Sequence, residues 1–183
     1  MQIVNGWLEQ AIRCPSPNYN HRPEGMPPRL MVVHNISLPP GKFGGDCIER
    51  FFQNRLNATE HPYFETIAEL QVSAHLLIKR TGELIQFVSF DERAWHAGQS
   101  EYCGSENCND FSIGIELEGT DSCAYTQIQY SQLAELTRTL ISAYPSMNAD
   151  DITGHSDIAP GRKSDPGASF NWRYFLRLVE QES

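Results

Sequence analysis

Hydrophobic residues recur along this chain with two spacings, one typical of strands and one typical of helices. Apolar and polar residues alternate over residues 112–118, which predicts a β-strand with one apolar face. A mainly apolar run at residues 30–36 predicts a short, buried strand. Two further runs, 75–80 and 84–88, are joined by Thr81-Gly82 and predict a β-hairpin.

Three other segments have apolar residues at helical spacing. Residues 47–56 have apolar side chains three and four positions apart. A second helix is predicted to begin with the capping box of Thr126 and Gln129 and to end before Pro145. Residues 170–180 predict the last helix. We therefore expect an α/β or α+β fold, with a central mixed β-sheet of about five or six strands flanked by helices.

Two polar segments show neither spacing. Residues 1–29 are rich in proline and asparagine and predict an irregular N-terminal arm. Residues 92–110 predict a long surface loop, and loops of that length in a compact domain are often functional. The chain has no internal repeat or linker, so its 183 residues are expected to form a single domain, 1–183.

Composition and charge narrow the class of protein. The formal net charge is −9 and no lysine or arginine cluster stands out, which argues against a nucleic-acid partner. The N-terminus lacks the pattern of a signal peptide, and no run approaches the roughly 18 apolar residues of a membrane-spanning helix. The odd number of cysteines, without a C-x-x-C pair, favours free thiols in a reducing compartment. We expect a cytoplasmic monomer without a membrane partner.

The run 154–167 carries the densest chemistry in the chain. His155 and Asp165 are separated by a segment that contains proline and glycine, and the cations Arg162 and Lys163 lie between them. An imidazole and a carboxylate on a stiff turn, with fixed positive charge nearby, are typical of a metal-assisted hydrolase. The two cations also offer a local site for an anionic small substrate.

A second histidine would complete a metal site. His34 lies within the predicted strand 30–36, where the backbone is stiff enough to fix a ligand. With His155 and Asp165 it would form a Zn²⁺ site of two histidines and one carboxylate, with a fourth position open for water. Mononuclear iron is the alternative metal. Two unrelated histidines are the alternative to any site, because the spacing does not show that they converge.

Four more side chains are candidates for the chemistry or the substrate contacts around such a metal. Glu116 and Glu118 share the polar face of the predicted strand 112–118, and either would serve as the general base that takes a proton from water. Alternation does not choose between them, and a solvated strand face is the simpler reading. Lys163 is a candidate to stabilise a developing oxyanion. Trp95, in the long loop, offers a ring that can stack on a sugar or a peptide.

Five motifs occur in a fixed order along the whole chain. They are Val-Val-His-Asn-Ile-Ser at 32–37, Ser-Ala-His-Leu-Leu-Ile at 73–78, Ala-Trp-His-Ala-Gly at 94–98, Asp-Phe-Ser-Ile-Gly-Ile-Glu-Leu-Glu-Gly-Thr at 110–120 and Gly-His-Ser-Asp-Ile-Ala-Pro-Gly-Arg-Lys at 154–163. Together they resemble the bacterial cytoplasmic 1,6-anhydro-N-acetylmuramoyl-L-alanine amidases. These enzymes belong to the superfamily of type 2 N-acetylmuramoyl-L-alanine amidases and peptidoglycan recognition proteins.

The resemblance implies an activity and a set of roles. The activity is zinc-dependent hydrolysis of the amide between 1,6-anhydro-N-acetylmuramic acid and L-alanine of muropeptides, in cell-wall degradation and peptidoglycan recycling. The implied zinc ligands, general base and oxyanion stabiliser are His34, His155, Asp165, Glu116 and Lys163. The resemblance therefore selects Glu116 over Glu118. Expected contacts to the muropeptide are Asn35, Trp95 and Arg162.

The competing interpretation is a module that binds peptidoglycan fragments without cutting them. Loss of a metal ligand or of the base would indicate such a module. This chain retains all of the implied residues, so the enzyme is favoured.

Overall fold

The computed structural model describes residues 1–181. The strands in this range are β1 (Ile3–Val4), β2 (Trp7–Leu8), β3 (Ile12–Arg13), β4 (Tyr19–Asn20), β5 (Leu30–Ile36), β6 (Leu76–Ile78), β7 (Leu84–Gln86), β8 (Arg93–Ala94), β9 (Glu101–Tyr102), β10 (Ser105–Glu106), β11 (Ser112–Glu118) and β12 (Ile152–Gly154). The α-helices in the same range are α1 (Cys47–Phe52), α2 (Pro62–Ile67), α3 (Gln127–Ala143), α4 (His155–Ile158) and α5 (Trp172–Glu180). Short 3-10 helices cover Ala58–Glu60 and Cys108–Asp110.

A central sheet has the strand order β12-β5-β11-β6-β7-β3. The strands β12, β5, β11 and β6 run parallel to one another, β6 and β7 are antiparallel, and β3 is parallel to β7. The predicted mixed sheet flanked by helices is therefore confirmed. The predicted strands 30–36 and 112–118 coincide with β5 and β11, and the predicted hairpin is β6–β7.

The strand β11 is buried along its whole length, because β5 and β6 flank it and other parts of the chain cover both of its faces. Successive side chains of a strand point to opposite faces of the sheet. Ile113 and Ile115 belong to the core cluster that α3 and α5 complete, so Gly114 and Glu116 face the other side. The polar face of β11 is therefore turned to the protein interior, and the solvated face considered above is wrong.

The predicted start of α3 is confirmed in detail. The Thr126 hydroxyl accepts a hydrogen bond from the Gln129 backbone N–H, and the Gln129 side chain accepts one from the Thr126 N–H. The leucines on the inner face of α3 pack with Phe175 of α5 against β5 and β11. Each fully buried leucine contributes roughly 1.5–3 kcal/mol through removal of apolar surface from water.

On the opposite side of the sheet, α1 packs Ile48, Phe51 and Phe52 into a second apolar cluster. The apolar spacing predicted a helix over 47–56, but α1 ends at Phe52. Asn54 has a φ of 57°, in the left-handed region, so the chain leaves the helical conformation at that point.

The N-terminal segment has more regular structure than an irregular arm. Its strand β3 forms an edge of the central sheet, and β4 pairs with β8. Arg22 anchors the segment, because its guanidinium donates hydrogen bonds to four backbone carbonyls: Phe90, Asn109, Asp110 and Ser112. That the chain as a whole forms one domain remains a prediction.

Residues 92–110 are not a simple surface loop. They contain the short strands β8, β9 and β10 and a 3-10 helix, and Ala97 and Cys108 are completely buried. Both residues pack against Leu30 and Val32 of β5, so this segment covers the sheet beside His34. Among the described residues, no helix combines the length and the hydrophobicity needed to cross a bilayer.

Candidate metal centre

The ends of three neighbouring parallel strands bring the candidate residues together. Glu116 of β11 pairs with His34 of β5, and Gly154 of β12 pairs with Val33. His155 follows Gly154 directly. Paired residues of parallel strands point to the same face of the sheet, so His155, His34 and Glu116 lie side by side. This strand order explains how two histidines 121 positions apart come into contact.

Three potential ligand atoms lie close together at this point. The Nδ1 atoms of His34 and His155 are 2.9 Å apart, and they lie 3.1 and 3.0 Å from Oδ2 of Asp165. Both histidines are buried, and the Asp165 side chain is 15% exposed. The structure therefore brings together the two histidines and the aspartate that the resemblance implies as ligands.

The chemistry of these donors fits Zn²⁺, which binds neutral imidazole nitrogen and carboxylate oxygen. Burial lowers the pKa of His34 to about 4, so its ring is neutral at pH 7 and able to coordinate. Burial alone would raise the pKa of Asp165, but its close contacts with the rings of His155 and His34 outweigh burial and hold that pKa well below its usual range. Three protein donors beside an open groove match a catalytic zinc site more closely than a closed structural one.

Glu118 is one of the two carboxylates that the strand pattern left equivalent. Its Oε1 accepts a hydrogen bond from the Gly44 N–H at 2.5 Å, and its Oε2 accepts one from the Arg80 N–H at 3.0 Å. Both oxygens therefore hold neighbouring loops. Glu118 has a structural role in this fold.

Glu116 differs, because its Oε2 is buried and has no hydrogen-bond partner within residues 1–181. The side chain lines the same groove as the three candidate ligands. Burial raises its pKa well above the ordinary value, repulsion from Asp165 adds to the effect, and Lys163 opposes it. A carboxyl group with an unused oxygen and a raised pKa is suited to accept a proton at this position.

A groove of about 630 Å³ opens beside these residues. Side chains of α1 and α2 contribute an apolar part, which includes Phe51, Tyr63 and Ile67. Lys163 lines the polar part near Asp165. The groove therefore offers both an apolar surface and a cation to a ligand that reaches the candidate metal.

Asn35 also lines the groove, next to His34 in sequence. Its Nδ2 donates to Oδ1 of Asp121 at 2.7 Å, and the Ser164 hydroxyl donates to Oδ2 of the same carboxylate at 2.5 Å. Asp121 thus links β5 to the loop that carries Lys163 and Asp165. Asp121 was not predicted from the sequence, because no motif or spacing pointed to it.

Trp95 and Arg162 line the groove as well. The indole N–H of Trp95 donates to Oδ1 of Asn20 at 2.7 Å, which fixes the ring. The Nη2 atom of Arg162 donates to the carbonyls of Ala97 and Gln99, both at 2.6 Å. Arg162 therefore also holds the segment that covers the histidines.

His96 is a second residue of the site that was not predicted from the sequence. Its Nδ1 lies 2.9 Å from Nε2 of His34. The other ring nitrogen of His34, Nδ1, is the one that faces Asp165. The available signal was its place in the motif 94–98, where only Trp95 was singled out.

Comparison with known proteins gives a consistent result. Residues 24–168 match the family model Amidase_2, described as N-acetylmuramoyl-L-alanine amidase. The chain is 57% identical over 183 residues to the 1,6-anhydro-N-acetylmuramyl-L-alanine amidase AmpD of Escherichia coli K12, with 100% of both chains covered. A crystal structure of a Se-Met AmpD derivative matches with a TM-score of 0.95 at 58% identity, covering 98% of this chain and 99% of that one.

A more distant structure holds a ligand. It is the complex of the amidase AmiD from E. coli with anhydro-N-acetylmuramic acid-L-Ala-D-gamma-Glu-L-Lys, which matches with a TM-score of 0.61 at 26% identity over 86% of this chain and 60% of that one. The family match and the full-length identity lead to one conclusion: this chain belongs to the N-acetylmuramoyl-L-alanine amidase family.

Proposed function

We propose that this protein is a zinc-dependent amidase of peptidoglycan recycling. Its substrate would be a muropeptide, and the bond cleaved would be the amide between 1,6-anhydro-N-acetylmuramic acid and L-alanine. The observation that carries the proposal is the convergence of His34, His155 and Asp165 in one groove. Glu116 lines the same groove, and its Oε2 has no hydrogen-bond partner among the described residues. The specificity of the AmpD relatives, and the ligand in the AmiD complex, support this choice of substrate.

In this proposal His34, His155 and Asp165 hold the zinc ion. When bound, zinc supplies Lewis acidity that polarises the substrate carbonyl and makes water a stronger nucleophile at neutral pH. The protein contributes two neutral imidazoles and one carboxylate with a single negative charge. With Zn²⁺ bound, the site would therefore keep a net positive charge near the carbonyl oxygen that becomes negative.

Glu116 is the proposed general base. It takes a proton from the attacking water as the water oxygen bonds to the carbonyl carbon. The proton then passes to the alanine nitrogen as the C–N bond breaks. The products are the free lactyl carboxylate of the anhydro-sugar and a peptide with a free amino group. The raised pKa of Glu116 suits it to hold the proton between the two steps.

Lys163 is the proposed oxyanion stabiliser. Its ammonium group lines the groove and would balance the negative charge of the tetrahedral intermediate, an effect worth on the order of 3 kcal/mol for one well-placed donor. Asn35, Trp95 and Arg162 are the proposed contacts to the muropeptide, since all three line the same groove. We also propose that the protein acts in the cytoplasm on free fragments, without a membrane or nucleic-acid partner.

The test combines metal analysis with product analysis. Purified protein is assayed for bound zinc and incubated with 1,6-anhydro-N-acetylmuramyl tripeptide, and the mixture is examined by mass spectrometry. Stoichiometric zinc together with release of the free tripeptide is the expected result. Intact substrate that co-elutes with the protein would instead support a binding module, and a protein without affinity for zinc would overturn the proposed metal site.

A further inference from the structure

The segment His96-Ala97 contacts both candidate histidine ligands at their outer ring nitrogens. Nε2 of His155 lies 3.1 Å from the carbonyl oxygen of Ala97, and Nε2 of His34 lies 2.9 Å from Nδ1 of His96. The opposite ring atoms, Nδ1 in both histidines, are the ones that approach Asp165. One short segment thus supports both rings.

Hydrogen-bond donors and acceptors determine where the protons lie in this group. The Cys108 carbonyl accepts only, so the hydroxyl proton of Ser112 is directed to it at 2.5 Å. The Ser112 oxygen, 3.1 Å from Nε2 of His96, must then accept a proton from that nitrogen. A neutral imidazole carries one proton, so Nδ1 of His96 is an acceptor and receives the Nε2–H of His34.

This arrangement leaves Nδ1 of His34 without a proton. Nδ1 of His155 also lacks a proton, because the Ala97 carbonyl can only accept a hydrogen bond and therefore places the ring proton of His155 on Nε2. Two imidazole lone pairs and a carboxylate then face one another at 2.9 to 3.1 Å. Such a set of acceptors is suited to a cation.

The supporting segment is itself held rigidly. Oδ1 of the buried Asn109 accepts the backbone N–H groups of His96 and Ala97, at 3.0 and 2.8 Å. Gly114 provides space for the His96 ring, since a Cβ at that position would lie 2.4 Å from Cγ of His96. Asn109 and Gly114 therefore determine the position of the segment from two sides.

We propose that His96 and Asn109 are positioning residues for the metal site. His96 selects the Nε2–H tautomer and the ring orientation of His34, and Asn109 holds the segment that gives both histidine ligands their outer partners. This inference rests on the proposed zinc site. Partners of this kind commonly change metal affinity 10- to 100-fold when they are removed.

The first test compares two substitutions of nearly equal size, His96→Leu and His96→Asn. The Asn side chain keeps an acceptor at the position of Nδ1, whereas Leu leaves the Nε2–H of His34 unpaired. Zinc affinity is measured on zinc-loaded proteins by competition with a chromophoric chelator. We expect His96→Leu to lose affinity by about 10- to 100-fold and His96→Asn by less than about threefold. His21→Leu, at an exposed histidine, is the control and should bind zinc like the wild type.

The second test uses Asn109→Leu and Asn109→Asp. Asp keeps the oxygen that accepts both N–H groups, so zinc affinity should fall in Asn109→Leu and be largely retained in Asn109→Asp. The absorption bands of Co²⁺-substituted protein report ligand geometry directly and should shift in the two Leu variants only. If one Leu variant does not fold, the other still tests the proposal.

The outcomes separate this inference from the proposed function. Wild-type protein that binds no zinc would overturn the metal site and the inference with it. Wild-type protein that binds zinc, with Leu variants that match it in affinity and Co²⁺ spectrum, would overturn the positioning roles alone. An equal loss in His96→Leu and His96→Asn would show that ring packing over Gly114, and not the acceptor, is what matters.

Discussion

Glu116 lies opposite His34 in the parallel pairing of β11 with β5. The pairing puts a candidate base and a candidate metal ligand on one face of the sheet, about 5 Å apart in the backbone, as neighbouring strands are. Strands in a sheet core are rigid, so this relationship does not depend on a flexible loop.

Substitution of Glu116 should remove turnover and leave the metal in place. Glu116→Gln keeps the size of the side chain and loses the ability to take a proton, so we expect kcat to fall by about 10²- to 10⁴-fold. Zinc content and hydrolysis of the anhydro-muropeptide are measured together. Glu118→Gln is the matched control, and it should lower thermal stability while keeping most of kcat, because Glu118 only holds the loops at Gly44 and Arg80. A Glu116→Gln enzyme with near-normal kcat would exclude this residue as the base.

Substitution of Asp165 should abolish stable zinc binding. Asp165→Ala removes one of the three donors and the negative charge that would attract the cation, so two neutral histidines would hold zinc only weakly. Metal content after dialysis is the readout, with Asp46→Ala, at an exposed aspartate, as the control. Full zinc occupancy in Asp165→Ala would refute its role as a ligand.

Substitution of Lys163 should affect the chemical step more than metal binding. Loss of one electrostatic donor to an oxyanion costs about 10²- to 10³-fold in kcat, and we expect this range for Lys163→Ala. Zinc content should be unchanged, since Lys163 is not a ligand. Lys42→Ala provides the control, as an exposed lysine in a different loop. If KM rises and kcat stays constant, Lys163 contributes only to substrate binding.

Removal of the metal should destabilise the folded protein. A ligand present at 100 times its Kd stabilises the native state by about 2.7 kcal/mol. For a chain of this length that corresponds to a fall in Tm of roughly 5–10 °C on addition of a chelator. Differential scanning fluorimetry with and without chelator measures the change. The same treatment should leave the Tm of Asp165→Ala nearly unchanged, and an equal fall in both proteins would point to a metal bound elsewhere.

Acid should destabilise the metal-free protein partly through His75. This completely buried ring accepts the Gly114 N–H at Nδ1, and its Nε2 lies 3.0 Å from the Glu92 carbonyl. Burial first, and then the charge of Arg22, lowers the pKa of His75 to about 3. Between the unfolded value near 6.5 and this folded value, the unfolded chain binds one more proton than the folded chain.

The stability contributed by neutral His75 is therefore complete above pH 6.5 and is lost as the pH falls towards 3. The expected slope is roughly 1.4 kcal/mol per pH unit from this residue. Denaturant unfolding of metal-free protein across pH 4 to 7 measures it, because most of this range lies between the unfolded and the folded pKa of His75. In His75→Asn, which keeps an acceptor for Gly114, the slope should fall by about one proton. An unchanged slope would show that the pKa of His75 is not lowered in the folded protein.

Local patterns in the sequence determined much of the secondary structure. Alternation and apolar runs located β5 and β11, and the Thr126 capping box located the start of α3, because these signals depend on residues only a few positions apart. The predicted end of α1 was wrong, because the spacing of apolar residues does not indicate the left-handed backbone conformation at Asn54. The motifs also identified the residue types of a metal site, and the family resemblance supplied their roles.

Only the tertiary structure decided which of these side chains meet. The order β12-β5-β11 puts His155, His34 and Glu116 on one face, and strand order is a property of the whole packed chain. The same holds for the difference between Glu116 and Glu118, which have identical positions in the alternating pattern. Both carboxylate oxygens of Glu118 accept hydrogen bonds from backbone groups of two distant loops, whereas Oε2 of Glu116, beside the candidate metal site, has no hydrogen-bond partner in the part of the chain that the structure describes. Contacts between residues far apart in sequence set these environments, so no local pattern could have revealed them.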